Sequence, residues 1–145
     1  VDASYKKLLI DDTRSALAEL NLTYTTASEL VIVENTELLH HIIVCTLCSC
    51  YPTALLGPPP DWYKSSVYRS RVVIDPRGVM REFGLNLSID TEVRVMDSTA
   101  DVRYMVLPRR PSGTEHFTEE ELCNLVTRDS MIGVADPIIP HASPV

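Results

Sequence analysis

Hydrophobic residues recur at intervals of three and four near the start of the chain, which predicts an amphipathic helix over residues 3 to about 20. The predicted apolar face consists of Tyr5, Leu8, Leu9, Ala16, Leu17 and Leu20. Asn21 can end this helix. The opening segment is therefore expected to bury one face and to leave the other in solvent.

Four later segments predict strands, because they are rich in β-branched residues or alternate between apolar and polar residues. The strands span residues 29–34, 38–44, 92–97 and 102–107. Asn35 and Thr36 predict a turn between the first two strands, and a short turn separates the last two.

Capping residues predict three further helices. Asp75 stands directly before Pro76, which is typical of a helix start. Thr118 and Glu121 have the spacing of a capping box. The predicted helices span residues 61–68, 76–83 and about 118–129, the last of them closing near Gly133. Residues 52–60 predict a compact loop between the strands and these helices.

This order of elements predicts an α+β fold, in which the sheets are covered by helices in a layered α-β-β-α arrangement. No linker is long enough to separate two units, so residues 1–145 are expected to form a single domain. A cysteine-rich segment directly follows the second predicted strand, and this strand is expected to be central.

Composition narrows the possible functions. The chain has 145 residues, 45% of them hydrophobic, and a formal net charge of −7. This composition excludes a disordered chain, and the negative charge argues against binding to nucleic acid or to a membrane surface. No apolar run is long enough to cross a membrane. The first residues do not form a secretory signal, so a cytoplasmic location is expected.

Three of the four cysteines, Cys45, Cys48 and Cys50, fall within six consecutive residues. Thiolates bind soft or transition metals, so the segment predicts a metal site. Two forms are open. A structural zinc or iron–sulfur site needs a fourth ligand such as Cys123, which is however expected to be a buried apolar residue of its helix. A metal-claw loop would instead add the backbone nitrogens of Ser49 and Cys50.

The residues around these cysteines resemble a known family. Residues 44–52 read Val-Cys-Thr-Leu-Cys-Ser-Cys-Tyr-Pro and are similar to the metal-binding motif of the nitrile hydratase α subunit, and to that of the related metal subunit of thiocyanate hydrolase. The resemblance continues along nearly the whole chain, through residues 59–64, 68–71, 75–77, 82–84, 103–108 and 126–133.

The resemblance implies a set of metal ligands. Cys45 would be a plain thiolate, Cys48 a sulfinic acid and Cys50 a sulfenic acid, with the backbone nitrogens of Ser49 and Cys50 completing five protein ligands. Thr46 resembles the cobalt-type members, whereas iron-type members usually have serine there. The implied cofactor is low-spin Co(III), with Fe(III) as the alternative.

The implied reaction is hydration of a small-molecule nitrile to an amide, a hydro-lyase activity. The metal would polarise the nitrile or activate a water, and the Cys50 oxygen would act as nucleophile or as base, with Cys48 and Ser49 also catalytic. Two alternatives remain open: a thiocyanate hydrolase subunit with the same metal claw, and a zinc or iron–sulfur module without catalysis.

Two residues depart from the family pattern. Thr53 stands where members usually have a pocket tryptophan, and Ala27 where they often have a glutamine. Both changes remove bulk, so they predict a wider pocket and a bulky or heteroaromatic nitrile. Neutral drift at these two positions is the alternative. The family's N-terminal helical arm does not precede the segment with which this sequence starts, so the arm is expected to be trimmed, disordered or absent.

Partners are also implied by the resemblance. No arginine lies beside the cysteines in sequence, whereas the family needs arginines to bind the two cysteine oxygens. A β-type partner subunit is therefore expected to supply them, so that this chain is half of an active site. A protein that inserts cobalt is a further expected partner.

Overall fold

The computed structural model describes residues 2–22, 28–48 and 50–140. In this part of the chain, eight helices and four strands follow in the order α1 (Ala3–Asp11), α2 (Thr13–Glu19), β1 (Glu29–Glu34), β2 (Leu39–Val44), α3 (Thr53–Leu56), α4 (Asp61–Lys64), α5 (Ser66–Ile74), α6 (Pro76–Glu82), β3 (Glu92–Asp97), β4 (Val102–Leu107), α7 (Glu119–Cys123) and α8 (Arg128–Ile132). Among the described helices, none has the length and the apolar composition of a membrane span.

The four predicted strands are confirmed, and they pair into two parallel ribbons. Strand β1 pairs with β4, and β2 pairs with β3. The last residue of β2, Val44, is in register with the last residue of β3, Asp97. Because parallel strands end at the same edge of a sheet, the segment after β2 emerges beside the segment after β3.

Helices pack against both ribbons. Helices α1 and α2 contact β1, α6 contacts β3, and α8 contacts both β2 and β4, while β2 also touches β4. A mixed helix and strand fold with the cysteine-rich segment at the end of a strand is thus confirmed. The exact order of α-β-β-α layers remains a prediction.

Three predicted helices are shorter than expected, because each contains a residue that begins a new helix. The predicted helix over 3–20 breaks at Asp12, whose carboxylate accepts a hydrogen bond from the N–H of Ser15. Ser65 divides the predicted helix over 61–68 in the same way, and Thr127 begins α8 after α7 has ended. Such side chains compete with helical hydrogen bonds, so they favour caps over helix interiors.

The capping signals themselves are confirmed. The Asp75 carboxylate accepts from the N–H of Gly78 at the start of α6. Thr118 and Glu121 form a reciprocal capping box at the start of α7. In the compact loop predicted over 52–60, residues Thr53–Leu56 form one short helix.

The main core is built on β2. Ile42, Ile43 and Val44 are completely or almost completely buried. The aromatic side chains Tyr63 and Tyr68, from α4 and α5, belong to the same buried cluster. The strand that leads into the cysteines is therefore held on a packed, rigid element, as a precise binding site requires.

Candidate metal centre

The cysteine loop, residues 45–50, brings three thiols together. The Sγ atom of Cys48 lies 2.9 Å from that of Cys45 and 2.8 Å from that of Cys50, and all three atoms fall within 4.8 Å of one another. Cys45 is buried, Cys50 is half-buried and Cys48 is exposed. The convergence expected from the sequence is therefore present, with one side of the cluster open to solvent.

The charge balance of this cluster favours a bound cation. Burial, together with the neighbouring Cys48 and Cys45 thiols, raises the pKa of the Cys50 thiol to about 12. Three crowded thiolates repel one another, and a metal ion supplies the opposite charge that lets them lose their protons. The donor set, three sulfurs at short spacing, fits a soft or transition metal.

The fourth cysteine takes no part in this cluster. Cys123 is the last residue of α7 and is exposed, so the prediction that it is buried in the helix interface was wrong. The helix ends at this residue instead of continuing to 129, and the buried residue of this segment is Leu125. Among the described residues, the cluster contains only the first three cysteines, so a four-cysteine zinc site lacks its expected fourth thiol.

The start of the cysteine loop is fixed to the end of β3. The carboxylate of Asp97 accepts from the backbone N–H of Thr46 at 2.9 Å and from its hydroxyl at 2.6 Å. The next residue, Ser98, donates its N–H to the carbonyl of Val44 at 2.7 Å. Sequence reasoning missed these contacts, because they depend on the register of two strands that are distant in sequence.

The end of the loop is fixed by residues from two other elements. The hydroxyl of Tyr63 donates to the carbonyl of Cys50 at 2.7 Å, and Nη1 of Arg103 donates to the carbonyl of Tyr51 at 2.8 Å. Burial raises the pKa of the Tyr63 phenol above its ordinary value, so the group keeps the proton it donates. No arginine lies beside the cysteines in sequence, but the fold brings Arg103 of β4 to Tyr51, the residue after Cys50.

Two adjacent histidines lie in β2 below the loop, and both are buried. The Asn35 side chain connects them: its oxygen accepts from the N–H and from Nδ1 of His41, and its nitrogen lies 3.1 Å from Nδ1 of His40. Nε2 of His40 then donates to the carbonyl of Gly133 at 2.7 Å. This pattern assigns the ring protons to Nε2 in His40 and to Nδ1 in His41. Burial, with the positive charge of Arg94, lowers the pKa of His41.

The remaining predicted site residues are less informative. Thr53 is exposed and begins α3, with its N–H donating to the carbonyl of Tyr51. Ala27 and Ser49 lie outside the described residues. The predicted widening of a pocket by Thr53 and Ala27, and the predicted role of the Ser49 amide, therefore stay predictions.

Comparison with known proteins identifies relatives of this chain. Residues 1–135 match the family model described as nitrile hydratase, alpha chain. The chain is 53% identical over 140 residues to the low-molecular weight cobalt-containing nitrile hydratase subunit alpha of Rhodococcus rhodochrous, covering 97% of this chain and 68% of that protein. It is 43% identical over 148 residues to thiocyanate hydrolase subunit gamma of Thiobacillus thioparus, covering 94% and 61%.

Solved structures show the same similarity. A double mutant of the Fe-type nitrile hydratase from Comamonas testosteroni Ni1 superposes with a TM-score of 0.92 at 40% identity, covering 99% of this chain and 73% of the other. At this identity the similarity extends beyond the fold. The converging cysteines thus lie in a chain whose relatives include proteins named cobalt-containing and proteins named Fe-type.

Proposed function

Because this chain belongs to the nitrile hydratase alpha-chain family, we propose that it is the metal-bearing subunit of a nitrile hydratase. The reaction adds one water across the C≡N bond of a nitrile and yields the amide: the oxygen bonds to carbon, and the protons end on nitrogen. The observation that carries the proposal is the convergence of three thiols within 4.8 Å at the end of a buried strand.

The residues that would hold the metal are the thiolates of Cys45, Cys48 and Cys50, with the backbone nitrogens of Ser49 and Cys50. We propose Co(III), since Thr46 occupies the position typical of cobalt-type members and the relative from Rhodococcus rhodochrous is named cobalt-containing. Fe(III) is the alternative, since a structural neighbour is named Fe-type. When bound, the ion supplies Lewis acidity to a site that the chain itself keeps partly buried.

The chain's own residues supply the oxygen chemistry in this proposal. Cys48 carries two oxygens as a sulfinic acid, and Cys50 carries one as a sulfenic acid. The Cys50 oxygen takes the proton of the attacking water, or it attacks the nitrile carbon itself and is restored when a water releases the amide. The Ser49 hydroxyl donates a hydrogen bond in the site. The anchoring of Cys50 through its carbonyl holds this group in place during the reaction.

A β-type partner subunit completes the site and supplies arginines for the cysteine oxygens. The support is that the relatives are named as subunits. We also propose that residues 1–145 act as one domain, that a cobalt-inserting protein loads the site, and that the complex works in the cytoplasm.

The proposed substrate is a bulky or heteroaromatic nitrile, because Thr53 and Ala27 are smaller than the residues usual in the family. Thiocyanate is the second candidate, since thiocyanate hydrolase subunit gamma is a relative along most of this chain. The two substrates differ in size and charge, so a direct comparison of turnover separates them.

The test is production of the chain with a β-type partner in medium containing cobalt. We expect about one cobalt per chain, and an intact mass about 48 Da above that of the unmodified chain, for three added oxygens. The complex should hydrate an aromatic nitrile and leave thiocyanate unchanged. Stoichiometric zinc in an active preparation, or an unmodified mass with full activity, would contradict the proposal.

A further inference from the structure

A chain of polar contacts connects β4 to the last cysteine of the loop. The backbone N–H of Tyr104 donates to the hydroxyl oxygen of Ser98 at 3.2 Å. Ser98 also lies close enough to the Tyr63 phenol to lower its pKa, which partly offsets the rise caused by burial. The Tyr63 hydroxyl donates to the carbonyl of Cys50 at 2.7 Å. Ser98 thus lies between the backbone of β4 and the tyrosine that binds the last cysteine.

Burial restricts the side chains of Tyr63 and Ser98. Tyr63 is completely buried and Ser98 is 1% exposed. The Tyr63 ring packs edge-on against Tyr51 with ring centroids 5.2 Å apart, and it also contacts the rings of Trp62 and Tyr68. The phenol is therefore held by packing from the side and by the hydrogen bond to Cys50 at its tip. Loss of either hydroxyl would leave a buried polar partner unsatisfied.

We infer that Tyr63, aligned by Ser98, is a positioning residue that sets the orientation of Cys50 for metal binding. The carbonyl that Tyr63 binds is attached to the same Cα as the Cys50 thiol and backbone nitrogen. Holding this carbonyl restricts the position of the Cα from which both donor atoms extend. The inference rests on the proposed function and extends it to residues that lie outside the cysteine loop.

Tyr68 offers a matched control for the test. It is a buried tyrosine of the same aromatic cluster, and its hydroxyl donates to the carbonyl of Ile43 at 2.7 Å. That carbonyl belongs to the interior of β2 rather than to the cysteine loop. Tyr63→Phe and Tyr68→Phe thus remove the same group from equivalent surroundings, and only the first removes a contact with a cysteine.

The experiment measures the full chain, produced with a β-type partner at limiting cobalt. Three values are recorded for each variant: cobalt per chain, the sulfur-to-cobalt charge-transfer absorption per bound cobalt, and the thermal midpoint. Tyr63→Phe should lower the cobalt content about three- to tenfold and shift the absorption band, as the loss of one buried hydrogen bond implies. Both variants should lower the thermal midpoint to a similar extent. Tyr68→Phe, however, should leave the cobalt content and the absorption band unchanged.

Ser98→Ala provides a second route to the same result. It should shift the absorption band in the same direction as Tyr63→Phe but less strongly. Added to Tyr63→Phe, it should cause no further loss of cobalt, because Ser98 acts through Tyr63. This variant also decides the matter if Tyr63→Phe fails to fold.

The outcomes separate the two levels of the proposal. A wild-type complex that binds neither cobalt nor iron and hydrates no nitrile would refute the proposed function, and this inference with it. A cobalt-loaded wild type together with equal cobalt loss in Tyr63→Phe and Tyr68→Phe would overturn the inference alone, since the effect would then be one of general stability. Wild-type cobalt and absorption in both Tyr63→Phe and Ser98→Ala would overturn it as well.

Discussion

Replacing Gly133 by alanine should destabilise the fold more than the same replacement at Gly84. Gly133 ends α8 with a φ of 95°, a left-handed conformation that costs residues with a side chain about 1–2 kcal/mol. A Cβ atom built at this position would lie 2.0 Å from the carbonyl oxygen of His41 and 2.9 Å from the Cα of Ile42. Both atoms belong to the backbone of β2, so neither can move aside as a flexible side chain would.

The expected cost of Gly133→Ala is the sum of two effects. To the conformational cost is added an overpacking cost of about 1–3 kcal/mol, because α8 and β2 must separate. Separation also stretches the hydrogen bond from His40 to the Gly133 carbonyl. We therefore expect a loss of about 2–5 kcal/mol in the free energy of unfolding.

Gly84→Ala is the control. Gly84 has nearly the same φ, 93°, but no atom lies within 4 Å of a Cβ built there. It should lose only the conformational part, about 1–2 kcal/mol. Urea unfolding of the full chain, followed by circular dichroism, gives the difference between the two variants. Equal stabilities would refute the reasoning, because they would show that α8 does not press against β2 at this point.

Three further predictions concern the site. Cys48→Ala should abolish cobalt binding. Cys123→Ala should retain cobalt and change the free energy of unfolding by less than about 0.5 kcal/mol, because that thiol is exposed. Metal analysis of both variants checks this, and loss of cobalt in Cys123→Ala would support a four-cysteine site. Thr53→Trp should lower kcat/KM about tenfold for a large aromatic nitrile and leave a small aliphatic one nearly unchanged; equal effects on both would mean that this position does not set substrate size. Burial lowers the pKa of His41 from its ordinary value of about 6.5. At a pH just below 6.5, His41 is therefore protonated in the unfolded chain but still neutral in the folded chain. Stability should therefore be complete above that pH and fall as the pH drops toward 5, and His41→Gln should flatten the decline in denaturant titrations; an unchanged decline would assign it to other groups.

The sequence predicted the parts of this fold that depend on neighbouring residues. The helix start at Asp75 and the capping box at Thr118 need only residues three positions away, so both were visible in the sequence. The strands were visible for the same reason, through their β-branched composition. Helix length was harder to predict, because Asp12 fits an amphipathic pattern and yet caps a new helix.

The cysteine loop shows the same division. Its three thiols are close in sequence, so their convergence could be expected. Its supports, Asp97 and Tyr63, are ordinary residues in sequence that reach the loop only through parallel pairing and helix packing. Cys123 was misjudged because its burial depends on where α7 ends.

The parallel pairing of the strands has a consequence for biosynthesis. Thr46 contacts Asp97 across 51 residues of chain, and the N–H of Ser98 donates to the carbonyl of Val44 directly before the cysteines. While the segment before β3 is still being synthesised, neither of these supports is present. At this stage the three thiols lie on a segment without a fixed coordination geometry. Metal binding in the right arrangement therefore follows later. We therefore expect metal loading of this chain to follow translation of its second half instead of accompanying that of the first.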